Sequence, residues 1–555
     1  MKILIKNLLP TLGGFIFFAS WIITNHHVPW NTSHQELVAL AGMFLFFPWK
    51  NIPNISNNLK FLIFVWCSTL TIQYFLHKIY FGDFIFGVGV IFVFFMAYCC
   101  GKQKINENSS VKNNIETIIY SALLAAALAN SIVGLSQWLG VSASIFSLPS
   151  PTWRVYGNMA QPNQLATLLL FGIISLIYFD TKKQIQIVWL LLAASILSFT
   201  LAATESRTGA LSFTVLIGLI LFLRKNSKIF LALRWLIPAF IVFWVTYANW
   251  SALSIGVSRS GVYFSSSGRF ELWEQMIIAI QMKPWLGWGW LNLGEAQYSV
   301  IGASSEQIKI NIDHAHNIFI DFLVWFGIPI GITLIAVIIK FTVNALLYIK
   351  KTPKDSSTYI AYLMLIPIGI HSLLEYPFAY LYFLIPIGIF IGKIEKSTNL
   401  ETRESLTEKK AAFSIAISTV VFSAIIVVNY FQIEKDFFAA RLEKEFFTSE
   451  QNLHKHENEL NLLTQYKKLL YLTKSDEINP AEISEARKTT MRFPWLSNYK
   501  QYYVELLRNK ECKKANSHIK IIEKLFGDFG VAKTKEAAIY AGLSNICTED
   551  NNKNN

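Results

Sequence analysis

Ile312-Asp313-His314-Ala315-His316-Asn317 runs straight into Ile318-Phe319-Ile320-Asp321-Phe322-Leu323-Val324-Trp325-Phe326, and the apolar character persists to about residue 349. Two histidines, an aspartate and an amide therefore stand where a long polar segment meets an apolar one. A bilayer-spanning helix needs about 20 residues, and this run exceeds that. Titratable groups at such a border are poor lipid-facing filler and point to function. Working outward, comparable apolar runs fall at 8–24, 37–49, 61–76, 84–100, 115–139, 160–179, 186–204, 208–223, 229–247, 357–375, 378–392 and 411–430. The shorter ones must borrow flanking residues, and the split between 357–375 and 378–392 rests on Glu375 and Pro377. The expected fold class is all-α: a polytopic membrane helix bundle of about 13 spans with a C-terminal helical periplasmic domain.

Composition agrees. Hydrophobic residues make up 53% of the 555 and charged ones only 15%, where an average soluble chain carries roughly 25% charged residues. Mean hydropathy is +0.39, which excludes an ordinary soluble enzyme. A net charge of +13 would by itself suit nucleic acid. The basic residues cluster in short loops between apolar runs, however, as membrane topology requires, so no nucleic-acid partner is expected. Cys67, Cys99 and Cys100 lie in apolar runs and read as packing residues. The N-terminus looks like a signal peptide, but Trp21 to His27 is too bulky for cleavage, and a retained first helix is expected.

With Met1 in the cytoplasm, alternate loops collect the cations: Lys2 and Lys6; Lys50 and Lys60; Lys102, Lys104 and Lys112; Lys182 and Lys183; Arg224, Lys225 and Lys228; Lys350, Lys351 and Lys354; Lys393, Lys396, Lys409 and Lys410. The opposite short loops carry Lys78, Arg154 and Arg207 singly. This bias predicts a bacterial inner-membrane protein, with its long loop 248–317 and everything after residue 430 in the periplasm. Residues 1–430 are then the membrane domain and 431–555 a periplasmic helical domain. Asn479-Pro480 and Phe493-Pro494 punctuate that domain, and Phe437, Phe438, Leu442, Phe446 and Phe447 give it an amphipathic start. An oxidising compartment would allow Cys512 and Cys547 to pair.

Five polar constellations fall on that predicted side. Gly157-Asn158-Met159-Ala160-Gln161-Pro162-Asn163 opens the sixth span, with Pro162 suited to a first helical turn. Asn158, Gln161 and Asn163 either cap and cross-link helices or meet a substrate. Glu205-Ser206-Arg207-Thr208-Gly209 holds an arginine that either snorkels or grips a phosphate through its planar fork. The long loop contains Gly268-Arg269-Phe270-Glu271-Leu272-Trp273 and Lys283-Pro284-Trp285-Leu286-Gly287-Trp288-Gly289-Trp290. A helix is predicted from Phe270 to Met282, with Phe270, Trp273, Ile277 and Ile280 on one face and Pro284 and Gly287 ending it. Arg269 is a second candidate anion clamp, and the Gly–Trp alternation reads as a floor for sugar rings or an interfacial anchor.

His314 and His316 would point apart on a helix and could not share a metal there, although an extended segment with Asp313 would allow it. Near neutral pH either ring can act as base or donor, or simply hydrogen-bond the loop, and Asn317 is placed to cap the helix behind. Last, His371-Ser372-Leu373-Leu374-Glu375-Tyr376-Pro377-Phe378-Ala379-Tyr380 sets a histidine, a carboxylate and phenols at a bilayer border. They form either a buried pair with an aromatic belt or ligand groups. Together the five point to one outward-facing site for an anionic substrate with a lipid part.

At these residues the chain resembles the PglL-type protein O-oligosaccharyltransferases, relatives of O-antigen ligases and Wzy polymerases, from start to end. Asp313-His314-Ala315-His316-Asn317 and the Gly268-Arg269…Trp273…Pro284…Gly287…Gly289 loop look like features of the wider superfamily. Gly157-Asn158…Gln161-Pro162-Asn163 and His371…Glu375-Tyr376-Pro377…Tyr380 are closer to the PglL branch. Asp321 stands where the family often has glutamine, a departure that bears on acceptor contacts.

The resemblance implies en bloc transfer of a glycan from undecaprenyl pyrophosphate to a Ser or Thr hydroxyl of an exported protein such as a pilin. No metal or other cofactor is implied. It makes His316 the expected base, with His314 as its alternate, and Arg207 and Arg269 the groups facing the pyrophosphate. Gln161, Asn158, Tyr380, Glu375 and His371 would bind glycan or pyrophosphate. Two other readings compete: an O-antigen ligase acting on lipid A core, and a flippase. The flippase would require polar residues through the membrane's depth, whereas 211–223 is nearly all apolar.

Overall fold

The computed structural model describes residues 2–26, 29–103, 115–141, 147–148, 154–253, 267–301, 312–398, 406–446, 469 and 480–547, whose regular elements are helices, with no strand among them. Every apolar run carries a helix. Five are long and apolar enough to cross a membrane: Phe81–Lys102, Ile115–Trp138, Pro162–Thr181, Ile318–Lys351 and Lys409–Lys435, with four shorter apolar helices beside them. Chain contacts divide the molecule into two compact units that interleave in sequence.

The first unit comprises Met1–Phe61, Val90–Val262 and Ile338–Val421. Its opening hairpin is α1 (Lys2–Ser20) against α2 (Ser33–Phe46). Gly13 and Gly42 let their backbones touch, since a Cβ on either would stand 2.8 Å from the other's carbonyl oxygen. After α3 (Asn57–Phe75), α4 (Phe81–Lys102) and α5 (Ile115–Trp138) comes α6 (Pro162–Thr181), with Pro162 in its first turn. It is the unit's axis: 94% of its apolar window is buried, against 50% for α5. Around it stand α7 (Ile187–Ala203), α8 (Arg207–Phe222) and α15 (Ser356–Ser372). The ninth apolar run breaks into α9 (Ser227–Leu231) and α10 (Leu233–Ala248). The split expected at Glu375 and Pro377 falls there, where a 3-10 turn at Pro377–Ala379 separates α15 from α16 (Leu381–Thr398).

The second unit comprises Leu62–Gly89, Tyr263–Val337 and Phe422–Asn555. Of the long loop, α11 (Trp250–Leu253) lies in the first unit; here stand α12 (Ser267–Met282), α13 (Leu293–Val300) and the first part of α14 (Ile318–Lys351). The amphipathic reading of α12 needs correction. Phe270 and Ile277 are exposed, while Leu272, Met276, Ala279 and Ile280 form the buried face.

α14 is kinked at Gly327, whose φ of 79° suits glycine alone. The kink frees two carbonyls, and the Gly–Trp stretch takes them: Trp288 N–H donates to Val324 O (2.8 Å) and Gly289 N–H to Trp325 O (3.1 Å). Gln73 donates to the same Trp325 oxygen (2.7 Å) and accepts from Trp290 N–H (3.0 Å). Gly287, at φ +61°, is needed because a Cβ there would lie 2.5 Å from both the Val324 and Trp325 oxygens. Trp288 and Trp290 are buried, with Trp290 against Trp66 and Trp325. The stretch is thus a backbone clamp and core packing, and of its tryptophans Trp285 stays exposed.

α17 (Leu406–Phe446) leads toward the tail; the side chains of 436–446 and residues 447–468 and 470–479 lie outside the described residues, including Phe437, Phe438, Leu442, Phe446 and Phe447. The tail's described helices are α18 (Pro480–Arg492), α19 (Leu496–Arg508) and α20 (Cys512–Tyr540), the last bent at Gly527. Cys512 and Cys547 are joined in a disulfide. Ile301, just past α13, shares a core with Met491, Tyr499, Ile522 and Leu525. The tail helices therefore share a core with the end of the long loop.

Candidate active site

In the first unit the polar motifs meet around the start of α6. Asn130 and Gln137, seven residues apart on one face of α5, hold the preceding loop. Asn130 Oδ1 accepts from Asn158 N–H (2.9 Å), and Gln137 Oε1 accepts from Gly157 N–H (2.9 Å) while its amide donates to Gly157 O (2.9 Å). Asn158 is only 2% exposed. Its side chain donates to Ile22 O (3.0 Å) and accepts from Leu148 N–H (3.2 Å), and its carbonyl meets the His26 ring (3.1 Å). Both polar atoms of this side chain, which the sequence reading places among substrate-binding groups, are thus engaged by backbone.

Asn163 links three motifs. It donates to Glu375 Oε1 (3.3 Å) and accepts from Ser206 Oγ (2.7 Å), and that same Oγ caps α8 at Gly209 N–H (2.9 Å). The buried His371 ring meets Thr167 Oγ1 at 2.8 Å. Glu375 and His371 therefore fix α15 against α6. Tyr380 stacks on Tyr382 (5.5 Å), whose hydroxyl donates to Gln164 (2.8 Å).

What this scaffold presents is Arg207 and Gln161. Arg207, the first residue of α8, is exposed and forms no hydrogen bond or ion pair among the described residues. Gln161 is half-buried at the N-cap of α6 and makes no side-chain cap bond. Arg154 lies nearby, its Nε donating to Thr204 O (2.9 Å). Glu36, at the first turn of α2, accepts from Trp30 Nε1 (2.9 Å) and Leu381 N–H (3.2 Å).

In the second unit the Asp313–Asn317 segment is not helical. Ala315 is fully buried and pinned on both sides: its N–H donates to Asp321 Oδ1 (2.7 Å), and its carbonyl accepts from Trp273 Nε1 (2.9 Å). Asp321 Oδ2 lies 3.3 Å from His314 Nδ1, and the His314 ring packs edge-on to Trp325 at 5.6 Å. Asn317 Oδ1 accepts from Phe319 N–H (3.0 Å) and so caps α14. Between two fixed residues stands His316, half-buried, at φ +54°. Ala160, Glu205 and His316 all hold positive φ without being glycine. Such backbone costs on the order of 1–3 kcal/mol each and persists where surroundings enforce it.

Arg269 lies one turn before Trp273, on the same face of α12. Asp313 is exposed. No group of three or more His, Cys, Asp or Glu suited to a metal ion occurs among the described residues.

The amides of Asn130, Gln137 and Gln73 are contributors that the sequence reading does not single out. Their signal was available, since lone polar groups within apolar runs are costly unless they have a structural task.

Three family patterns match consecutive parts of the chain: "Protein glycosylation ligase" at 155–179, "O-Antigen ligase" at 190–336 and "Virulence factor membrane-bound polymerase, C-terminal" at 359–537. A General O-oligosaccharyltransferase of Acinetobacter baylyi is 25% identical over 551 residues, covering 94% of this chain and 93% of that protein. A ComP-specific O-oligosaccharyltransferase of the same organism is 28% identical over 415 residues, 70% of this chain and 71% of its own. An uncharacterized protein of Haemophilus influenzae is 26% identical over 241 residues. The likeness to PglL-type O-oligosaccharyltransferases first read from the motifs thus extends along nearly the whole chain.

Proposed function

We propose that this chain, a glycosyltransferase of the O-oligosaccharyltransferase kind, moves a preassembled glycan in one block from undecaprenyl pyrophosphate to a Ser or Thr hydroxyl of an exported protein. The hydroxyl oxygen attacks the anomeric carbon, the bond from that carbon to the pyrophosphate oxygen breaks, and undecaprenyl pyrophosphate leaves. The hydroxyl proton passes to His316. The single observation that carries this choice of base is the pinning of Ala315 by Asp321 and Trp273, which presents His316 half-exposed while His314 is buried against Asp321 and Trp325.

Arg207 and Arg269 stabilise the charge growing on the pyrophosphate, as planar, always-cationic forks do best. Gln161 and Tyr380 contact the donor, while Asn158, Glu375 and His371 hold the elements that present them. The orientation is that of the charged loops: about thirteen spans in a bacterial inner membrane, with the motif-bearing loops and the C-terminal helices in the periplasm.

The test is a cell carrying a lipid-linked glycan, an exported acceptor protein such as a pilin, and lipid A core. Expressing this chain should shift the acceptor's intact mass by one whole glycan. Glycan arriving on lipid A core instead, with the acceptor unchanged, would make the chain an O-antigen ligase.

A further inference from the structure

Two cations of the second unit have no part in the chemistry above. Lys78 follows α3, Lys283 follows α12, and both rest on neighbouring residues of the clamp that meets the α14 kink. Lys78 Nζ donates to Gly287 O (2.8 Å), and Lys283 Nζ stands 3.7 Å from the centre of the Trp288 ring. The turn carrying Lys78 is fixed as well, because Asn292 Nδ2 donates to Lys78 O (2.6 Å).

Neither ammonium forms an ion pair among the described residues. Glu295, the acid whose charge reaches Lys283, is committed to Arg487 at 2.8 Å. Burial, and after it the charge of Lys283, pushes the Lys78 ammonium below its usual range. Two like charges are thus held together at a cost that an anion would remove. Lys283 is exposed and Lys78 half-buried, so an anion can reach both.

The surroundings say what such an anion is attached to. Phe75 and Leu76, just before Lys78, are exposed, as is Ile72 one turn earlier on α3. Met282 and Trp285 flank Lys283 and are exposed too, Trp285 to 76%. Ile328 N–H donates to Pro284 O (2.6 Å), which sets Trp285 at the kink where the exposed Ile328 and Ile332 of α14 begin. Apolar stripes that end together at a tryptophan and two lysines are the pattern of a membrane–water border.

We propose that Lys78 and Lys283 seat the phosphate of an anionic phospholipid, whose acyl chains lie along the exposed apolar side chains of α3 and α14. A carrier lipid such as undecaprenyl phosphate offers the same charge. The phospholipid is the occupant chosen here because, as the bulk component of a membrane, it fills such a seat by mass action. The bound head group offsets the two ammoniums on the Gly287–Trp288 step and so steadies the clamp on α14. This inference does not depend on the transfer reaction or on His316.

The experiment uses the full chain in neutral detergent, titrated with dioleoylphosphatidylglycerol or dioleoylphosphatidylcholine, with bound lipid counted by native mass spectrometry. K283Q, which breaks no hydrogen bond, should weaken phosphatidylglycerol binding about fivefold, and K78Q/K283Q about twenty-five-fold, the effect of one and two cations at a lipid surface. K78R/K283R should stay within about twofold of wild type, as should K533Q on α20. Phosphatidylcholine binding should be the same in all of them. Raising salt from about 0.1 M to about 1 M should weaken phosphatidylglycerol binding to wild type and leave the double variant little changed. Folded K283Q with wild-type affinity for phosphatidylglycerol would overturn the proposal, even where the double variant fails to fold. So would a lysine-dependent affinity found for undecaprenyl phosphate and not for phosphatidylglycerol, which would give the seat to the carrier lipid.

Discussion

His316 follows a residue whose N–H and carbonyl are both held, and precedes one that caps a helix. Asp321 is therefore a lever on the site without touching substrate. D321N keeps an acceptor for the Ala315 N–H and D321A does not. An unpaired buried amide costs about 1–3 kcal/mol, so initial-rate assays should show D321A about tenfold or more below D321N. For Arg207 the expectation concerns shape as well as charge. R207A should lower kcat/KM for the lipid-linked donor about a hundredfold, and R207K should recover only part, because an ammonium cannot reproduce the bidentate fork.

At this scale the sequence was partly legible. Costly groups at a bilayer border announced themselves, and Asn317 was correctly placed as a cap. Whether an amide serves ligand or scaffold was not legible. Asn158 and Gln161 sit three residues apart in one motif, yet Asn158 spends its polar atoms on Ile22, Leu148, Asn130 and His26, while Gln161 does not cap its helix.

Among elements, the bend of α14 at Gly327 shows how backbone accounting shapes the fold. Its freed carbonyls are met by the Gly287–Trp290 stretch, so G287A should collide with two carbonyl oxygens and adopt a disfavoured φ. A loss of several kcal/mol, or no folded protein at all, is expected from thermal melts. Apolar runs announced the helices well, because hydrophobic length is a direct signal. The kink and its clamp were not announced, because their cause is pairing between segments about forty residues apart.

The tail helices carry a titration. His518 is buried between Tyr298 Oη (3.0 Å) and Tyr499 O (2.9 Å), and burial pushes its ring down to about 4. In the unfolded chain it takes a proton near its usual value of about 6.5, so the stability it contributes is full above that pH. That stability falls by about 3 kcal/mol as pH drops through about 4. Glu505, pushed up to about 7 by burial, acts oppositely: its contribution is full below its ordinary value of 4.5 and is lost as pH rises through about 7. Hydrogen exchange over residues 480–540, corrected for intrinsic rates and run in an E505Q background, should show protection declining below pH 6.5.

Across the whole molecule, the division expected at residue 430 and the observed compact units answer different questions. Hydropathy separates membrane-length runs from a polar tail. Packing groups that tail with the long loop, through Ile301 against Tyr499 and Ile522 and through Arg487 on Glu295 (2.8 Å). No periodicity in a single sequence reveals such a pairing. The Cys512–Cys547 disulfide closes a separation of 35 residues. In the chain-entropy view, C512S/C547S should lose about 4 kcal/mol of tail stability, read as a lower denaturant midpoint for the tail with the membrane helices unaffected.

Block transfer with His316 as the base would show in the mass of the acceptor. The most direct measurement is intact-mass spectrometry of an exported acceptor protein incubated with lipid-linked oligosaccharide and the chain in liposomes, wild type beside H316A. Wild type should add the whole glycan in one step. H316A should be slower by about a hundredfold or more while still binding donor. A properly inserted H316A that transfers at the wild-type rate, or an acceptor that gains sugars one at a time, would contradict it.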